Sequence, residues 1–265
     1  MRPQWPYRVN WRSPQARGLT GWWPVIPSGT PAIASYVRNL LPAGVHFSNG
    51  QNFVPDYVTD MELRSALEFV PANFDELEGP TGTATITAAA GTLSAWLKIT
   101  GNSETTSPVY NLPRVISDSS LFFGLHYGEL TAGGHKLHAY NWDGSDDHVS
   151  ITISQGVWHQ VAWVHGAGTL YLYVDGVPTS VASGDTQDVT GTLMIGQEVN
   201  DRGWPGRIAD IRTYNVALPA AVVYQMWHPA TRWDLYAPYR LPWAAQFEAP
   251  PPPPNAPVFR LRRTA

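Results

Sequence analysis

The chain has 265 residues, of which 43% are hydrophobic and 14% are charged, and its formal net charge is −4. These values predict a folded domain with a sizeable core and exclude a largely disordered chain, while the weak charge argues against nucleic-acid binding. The absence of cysteine excludes disulfide scaffolds and thiolate chemistry, and the absence of an apolar run of about 18 residues predicts no membrane span.

The N-terminal segment, residues 1–17, combines arginines, aromatic residues and prolines and contains no acid. It lacks the apolar stretch of a signal peptide, so we expect no export by that route. Because proline fixes extended backbone, the segment predicts an extended arm whose aromatic side chains pack on the body or on another molecule. The side chains that we expect to dock onto a partner are Arg2, Trp5, Tyr7, Arg8, Trp11 and Arg12.

From residue 18 to residue 228, short β-like runs alternate with turn residues, and in the clearest run Leu93, Ala95 and Leu97 share one face. Asp175-Gly176, between two such runs, is a strong hairpin signal. This spacing predicts an all-β fold, a two-sheet antiparallel sandwich. One short C-terminal helix is predicted over 218–227. The predicted strands are 19–23, 66–70, 91–99, 121–126, 137–140, 149–153, 157–164, 170–174, 177–181, 193–195 and 207–214.

The C-terminal segment, residues 229–265, predicts a second extended arm. It carries a further aromatic series, a proline run over 250–254 that should act as a stiff spacer, and a basic end. The two basic ends hold 7 of the 17 basic residues, so the body, 18–248, has 10 basic against 21 acidic residues, a net of −11. The expected docking side chains here are Trp233, Tyr236, Tyr239, Trp243, Phe247, Arg260, Arg262 and Arg263.

The most site-like loop runs from Trp142 to His148. Asp143, Asp146 and Asp147 offer hard oxygen ligands of the kind calcium takes, and Trp142 could stack on the face of a sugar. The alternative is an ordinary hairpin tip, where acids and glycine are expected in any case.

No catalytic residues are predicted. The nearest carboxylate cluster, Asp75, Glu76 and Glu78, lies beside Gly79-Pro80 and is interpreted as a solvated loop, because a glycosidase needs two acids facing one cleft. His126, His135 and His138 are interpreted as surface histidines and not as a metal site, since an odd offset places His135 and His138 on opposite faces of a strand. We expect no required cofactor, with calcium as an optional ion.

Several segments resemble the laminin-G-like, concanavalin A-like jelly-roll superfamily in collinear order over residues 18–228. They are GLTGWWP (18–24), ALEF (66–69), GTLSAWLK (91–98), WHQVA (158–162), LYLYVDG (170–176) and GRIADIRTYNVAL (206–218). The resemblance implies a jelly-roll sandwich and a structural place for His159. Retaining glucanases of this fold carry a Glu-x-Asp-x-x-Glu string, which this chain lacks, so the resemblance does not imply an enzyme.

The end of the chain resembles jelly-roll proteins of bacteriophages, in the string PATRWDLY (229–236) and in the proline- and arginine-rich tail. This resemblance implies a non-enzymatic virion structural protein, made in the host cytoplasm, that serves as a capsid decoration or cement protein or another head-associated protein. Its partners would be the major capsid protein, neighbouring head or tail subunits, or further copies of itself. The alternative is a lectin-like, carbohydrate-binding module of a fibre or other surface protein, with calcium as an optional ion, that binds a surface glycan for host attachment. Nucleic acid and membrane are not expected as partners.

Overall fold

The computed structural model describes residues 7–25, 36–37, 40–41, 47–49, 55–60, 63–70, 75–81, 86–102, 112–120, 123–128, 136–186, 190–196 and 204–238. In this part of the chain the backbone forms eighteen strands and one α-helix. The strands are β1 (Tyr7–Val9), β2 (Leu19–Trp23), β3 (Tyr36–Val37), β4 (Phe47–Asn49), β5 (Asp56–Asp60), β6 (Arg64–Phe69), β7 (Leu77–Thr81), β8 (Ala90–Ile99), β9 (Arg114–Asp118), β10 (Phe123–Gly128), β11 (Lys136–Trp142), β12 (Asp146–Thr152), β13 (Trp158–Gly166), β14 (Thr169–Val174), β15 (Val177–Ala182), β16 (Thr192–Ile195), β17 (Gly206–Tyr214) and β18 (Tyr236–Pro238); the helix is α1 (Ala220–Trp227).

The strands form two large sheets with antiparallel pairing, which confirms the predicted sandwich. The first sheet has the order β15-β14-β13-β8-β17-β6-β5, and β2 pairs with the C-terminal half of β17. The second sheet has the order β12-β11-β10-β9-β16-β7-β4-β3. Asp175-Gly176 makes the predicted hairpin turn between β14 and β15, and both residues have the positive φ that such a tight turn requires.

The main core lies between the two sheets. Leu93, Ala95 and Leu97 of β8 are buried in it, as their alternation predicts, together with Trp163 of β13. The indole nitrogen of Trp163 donates a hydrogen bond to the carbonyl of Tyr140 in the second sheet, 2.9 Å away. Burying each such large apolar side chain contributes about 1.5–3 kcal/mol to folding.

Helix α1 covers part of the face of the first sheet that points away from the core. Val223 and Met226 of the helix pack with Val164 of β13 and Tyr214 of β17. The helix begins after Pro219 and ends before Pro229, so the predicted helix is confirmed with a start two residues later than expected. In the described part of the chain, this and every other helical segment is too short or too polar to cross a membrane.

The terminal segments pack on the sandwich where the structure describes them. Strands β1 and β18 pair with each other as a two-stranded ribbon, here called the terminal ribbon. Val9, Trp22 and Leu235 form one buried cluster with Tyr236, and Trp233 stacks on Trp96 of β8 at a centroid distance of 6.1 Å. Within 7–17 and 229–238 the predicted arms therefore pack on the chain's own sandwich through Val9, Trp233, Leu235 and Tyr236, whereas Trp11 stays exposed.

A buried ion pair joins these layers. A bulge in the pairing of β17 with β8 separates Ala209 from Arg212, and Asp210 within it has φ +51°. The Asp210 carboxylate binds the Arg212 guanidinium and accepts hydrogen bonds from the Trp22 indole (2.8 Å) and the Tyr236 hydroxyl (2.7 Å). Burial alone would raise the pKa of Asp210, but the charge of Arg212 and these hydrogen bonds lower it. The second guanidinium branch donates to Gln15 in the N-terminal segment (2.7 Å).

We predict that Arg212→Ala lowers the free energy of unfolding by about 3–5 kcal/mol, because the carboxylate of Asp210 stays buried without its counter-ion. Arg207→Ala is the matched control: it breaks the half-buried pair with Glu68 (2.8 Å) and should cost about 1 kcal/mol or less. Guanidinium chloride titration followed by tryptophan fluorescence measures both values. Equal losses in the two variants would contradict the importance of the buried pair.

Candidate binding face of the second sheet

The second sheet has one face against the core and one face that points away from the first sheet, here called the outer face. Residues directly opposite each other on neighbouring strands share a face. His126 of β10 lies opposite both Arg114 of β9 and His138 of β11. On the next strand pair, Tyr140 lies opposite His148, and Trp142 lies opposite Asp146. The outer face therefore carries Arg114, Ser117, His126, His138, Tyr140, Trp142, Asp146, His148 and Ser150.

Alternation along the strands produces this face. Leu137 and Ala139 of β11 point into the core, so the residues between and beside them point outward. In β9 a bulge leaves Val115 and Ile116 both in the core and returns Arg114 to the outer face. The backbones of β9 and β10 approach so closely there that a Cβ on Gly124 would lie 2.5 Å from the Ile116 carbonyl oxygen.

The histidines of the outer face are buried, which corrects their interpretation as surface residues. His126 and His138 expose 0% and 1% of their surface, and His135 lies outside the described residues. The His126 ring stacks on Tyr140 at 5.4 Å, and the His138 ring lies 5.9 Å from that of His148. Ring packing across the strands removes these side chains from water. Burial lowers the pKa of His138 to about 4; the Gly128 carbonyl opposes the shift, and charge at His148 and Lys136 adds to it.

The sequence suggested that the carboxylates near β7 lie in a solvated loop, and the structure corrects this interpretation. Asp75 and Glu76 are buried, and Glu78 is half-buried within β7. The Asp75 carboxylate accepts a hydrogen bond from the Val70 amide (2.9 Å), which joins the residue after β6 to the chain just before β7. Burial lowers the pKa of Arg114 to about 10, while the negative charges of Asp118 and Glu76 act in the opposite direction. Arg114 thus places a positive charge within range of Glu76.

The predicted calcium ligands brace the tip of the β11–β12 hairpin. Asp143 accepts hydrogen bonds from the hydroxyl of Ser145 (2.7 Å) and from the Gly184 amide, and these lower its pKa. Asp146 accepts from the Tyr140 hydroxyl (2.9 Å), and Asp147 from Ser145 (3.2 Å). Among the residues that the structure describes, no three acidic or histidine side chains are grouped to hold a metal ion. The structure therefore does not assemble the predicted site.

Trp142, the predicted sugar-stacking residue, is half-buried at the edge of the outer face. Its ring packs against Leu112 and Tyr140, which hold it in place. Asp146 is exposed opposite Trp142, and His148 is half-buried one position further along the same strand face. A fixed aromatic ring with polar side chains beside it can stack on a sugar ring and exchange hydrogen bonds with its hydroxyls.

The predicted docking residues lie in different environments. Arg8 and Arg12 are exposed, and Trp11 exposes 61% of its surface. Tyr236 is buried against Asp210, and Trp233 stacks on Trp96, so these two side chains are used within the chain and the prediction for them is corrected. Tyr7 begins β1. The remaining ones lie outside the described residues: Arg2, Trp5, Tyr239, Trp243, Phe247, Arg260, Arg262 and Arg263.

Trp142 is predicted from the sequence, whereas the outer face to which it belongs is not. In KLHAYNW, the residues at 136, 138, 140 and 142 share one face and alternate with Leu137 and Ala139, which face the core, and this two-residue period could have been found. No such period in the sequence predicts Arg114 on the outer face, because a bulge in the pairing of β9 with β10 places it there.

Comparison with known proteins agrees with this architecture. A family model described as the concanavalin A-like lectin/glucanases superfamily matches residues 74–223. No functionally curated protein matches the sequence. Similar solved structures include a Trypanosoma rangeli sialidase in complex with sialic acid (TM-score 0.56, 16% identity, 79% of this chain and 32% of the sialidase). They also include the binding domain of Paraclostridial Mosquitocidal Protein 1 (0.58, 10%, 81% and 52%) and that of botulinum neurotoxin DC in complex with rat synaptotagmin II (0.57, 11%, 81% and 52%). At these identities the likeness shows the fold alone, and this chain spans about a third to a half of those proteins.

We predict that His138 makes the protein less stable in mild acid. Its pKa of about 4 lies below the ordinary value of 6.5, so the unfolded chain takes up the proton first and stability falls as the pH drops from 6.5 towards 4. From pH 7 to pH 5 this amounts to about 2 kcal/mol. Urea unfolding at the two pH values should show a loss in His138→Phe that is smaller by this amount. His228→Phe, at the half-buried end of α1, should keep the full loss; an unchanged pH dependence in His138→Phe would contradict the assignment.

Proposed function

The chain belongs to the concanavalin A-like lectin/glucanase superfamily, and from this premise we propose that it is a non-catalytic carbohydrate-binding module. The observation that carries the proposal is the half-buried ring of Trp142 on the outer face, in one row with Tyr140 and beside Asp146 and His148. A similar solved structure, of which this chain covers 32%, is a sialidase in complex with sialic acid.

The position of the face supports this proposal. The outward side of the first sheet is covered in part by α1 and by the terminal ribbon, while Pro178, Ser180 and Ala182 of the edge strand β15 remain exposed. The outer face of the second sheet ends at Trp142 and the exposed Asp146, which a ligand can reach. The Tyr140 hydroxyl orients the Asp146 carboxylate at 2.9 Å, so a hydrogen-bond acceptor is held ready for a sugar hydroxyl beside the ring.

The charges around Glu76 favour sugar binding without hydrolysis. Glycoside hydrolysis needs one carboxyl group that stays protonated, and an apolar pocket usually provides this. Glu76 instead lies within range of the Arg114 guanidinium. The sequence also lacks the Glu-x-Asp-x-x-Glu string that the resemblance to glucanases would require.

A second candidate function is assembly, as a bacteriophage virion protein: a capsid decoration protein or another head-associated component located on the virion. The exposure of Arg8, Trp11 and Arg12 favours a docking role, since arginine and tryptophan are enriched at protein interfaces. The bacteriophage setting is supported by the resemblance of the tail. The two candidates are compatible, because a glycan-binding module on a particle could attach it to a host.

We predict that Trp142→Ala weakens glycan binding about tenfold or more, since it removes the stacking surface, whereas Asp146→Asn has a smaller effect. The full chain is first labelled and applied to a glycan microarray, and each glycan bound is then titrated by calorimetry. Trp11→Ala is the matched control, because this exposed tryptophan lies in the turn after β1 and not on the outer face.

The same glycans are incubated with the protein and analysed by chromatography for released sugars. Binding without release supports the proposal. Unchanged affinity in Trp142→Ala, equal loss in Trp11→Ala, or no bound glycan on the array would refute it, and release of product would make the protein an enzyme.

A further inference from the structure

A groove of about 640 Å³ runs beside the terminal ribbon. Its lining combines apolar and cationic side chains from the N-terminal segment, from the chain near residue 40 and from β18. The lining residues used below are Arg8, Val9, Trp11, Arg12, Leu40 and Ala237. The groove is separate from the outer face, since none of the outer-face residues lines it.

The charge of the groove is not compensated. Arg8 and Arg12 are exposed, and within the described part of the chain neither guanidinium takes part in an ion pair or a hydrogen bond. Residues 1–17 contain no acid that could neutralise them. By contrast, Arg207 and Arg212 in the body are each paired with a carboxylate. The groove therefore offers two free guanidinium groups, which bind carboxylates with two parallel hydrogen bonds each.

Trp11 stands between the two arginines in sequence and exposes 61% of its surface, the largest exposure of any aromatic residue described. Its backbone is held in a fixed turn: the Asn10 side chain donates to the Asp234 carbonyl (2.8 Å), and the Asn10 carboxamide oxygen accepts from the Arg12 amide. The turn therefore presents the indole ring of Trp11 to solvent from a fixed backbone, beside the two arginines. Tryptophan and arginine together are the residue types that dominate binding energy at protein interfaces.

The edge of β1 adds a template for an extended chain. In the described residues β1 pairs with β18 only, in antiparallel register with Arg8 opposite Ala237. Its second edge thus has no strand beside it there. An open edge of this kind accepts an extended peptide through backbone hydrogen bonds, while alternate side chains of the peptide reach the groove.

We propose that this groove docks an extended acidic segment of a partner protein, which adds along β1. Carboxylates of the segment pair with Arg8 and Arg12, and an apolar side chain between them packs on Trp11 and Leu40. The inference does not rest on carbohydrate binding; it gives the docking role a site and a class of partner.

The groove fits a protein segment better than a nucleic acid. Its floor includes the apolar residues Val9, Leu40 and Ala237, and its positive charge is limited to two arginines. A nucleic acid extends over a wider surface and needs a broad basic footprint, whereas the body around this groove, residues 18–248, has a net charge of −11. A short acidic segment touches only the groove and avoids that repulsion.

The test uses the full chain and a fluorescein-labelled peptide, acetyl-Glu-Val-Glu-Leu-Glu, followed by fluorescence anisotropy at low and moderate salt. We expect binding that weakens with salt, and a loss of about tenfold or more both in the double variant Arg8→Glu/Arg12→Glu and in Trp11→Ala. Arg17→Glu is the matched control: Arg17 is exposed in the same segment but does not line the groove, so its reversal should change affinity less than about twofold.

Two further comparisons make the outcome decisive. The same peptide with Lys in place of Glu should not bind, and a DNA duplex should not displace the acidic peptide. The proposal is overturned if the wild-type chain does not bind the acidic peptide, if Arg17→Glu loses as much affinity as the double variant, or if the duplex binds more tightly through the same arginines. Trp142→Ala should bind the peptide normally, so failure here and failure of glycan binding are separate results.

Discussion

The buried pair of Asp210 and Arg212 is the constraint on which the terminal layers depend. A desolvated ion pair stabilises a fold only when its remaining hydrogen-bonding groups are satisfied, and here the partners come from distant parts of the chain. Trp22, Gln15 and Tyr236 each contribute one hydrogen bond. Because these residues belong to the N-terminal segment, β2 and the C-terminal segment, completing the pair also holds residues 7–17 and 229–238 on the first sheet.

Because the terminal segments pack on the first sheet, the outward sides of the two sheets differ. α1 and the terminal ribbon cover part of the outward side of the first sheet. The outer face of the second sheet presents Trp142, Asp146 and His148 at one end, while Arg114, His126, His138 and Tyr140 of the same face are buried. The same packing that buries Tyr236 holds β1 beside β18 and so presents Trp11 and its neighbouring arginines from a fixed backbone. Two binding surfaces can then exist on one domain without sharing residues.

The errors of the sequence-based interpretation have one physical cause. Asp75, Glu76, His126 and His138 are polar residues near turn-forming or polar neighbours, which locally indicates solvent exposure. Their burial comes from contacts that the local pattern does not show: the Asp75 carboxylate accepts a hydrogen bond from the Val70 amide, five residues earlier, and His126 packs on Tyr140 of the adjacent strand. A polar side chain that is buried by such contacts cannot be recognised from the pattern of its own strand.

The sequence by itself determined the features encoded by neighbouring residues: the alternation of Leu93, Ala95 and Leu97, the Asp175-Gly176 turn, the helix bounded by prolines, and hence the sandwich. It also singled out Trp142, whose position at a hairpin end is a local property. Only the tertiary structure decided that Arg114 returns to the outer face through a bulge, and that Trp233 and Tyr236 turn inward while Trp11 stays exposed. These positions depend on strand register and long-range packing, that is, on which distant residue lies opposite each side chain. No short stretch of sequence contains that information.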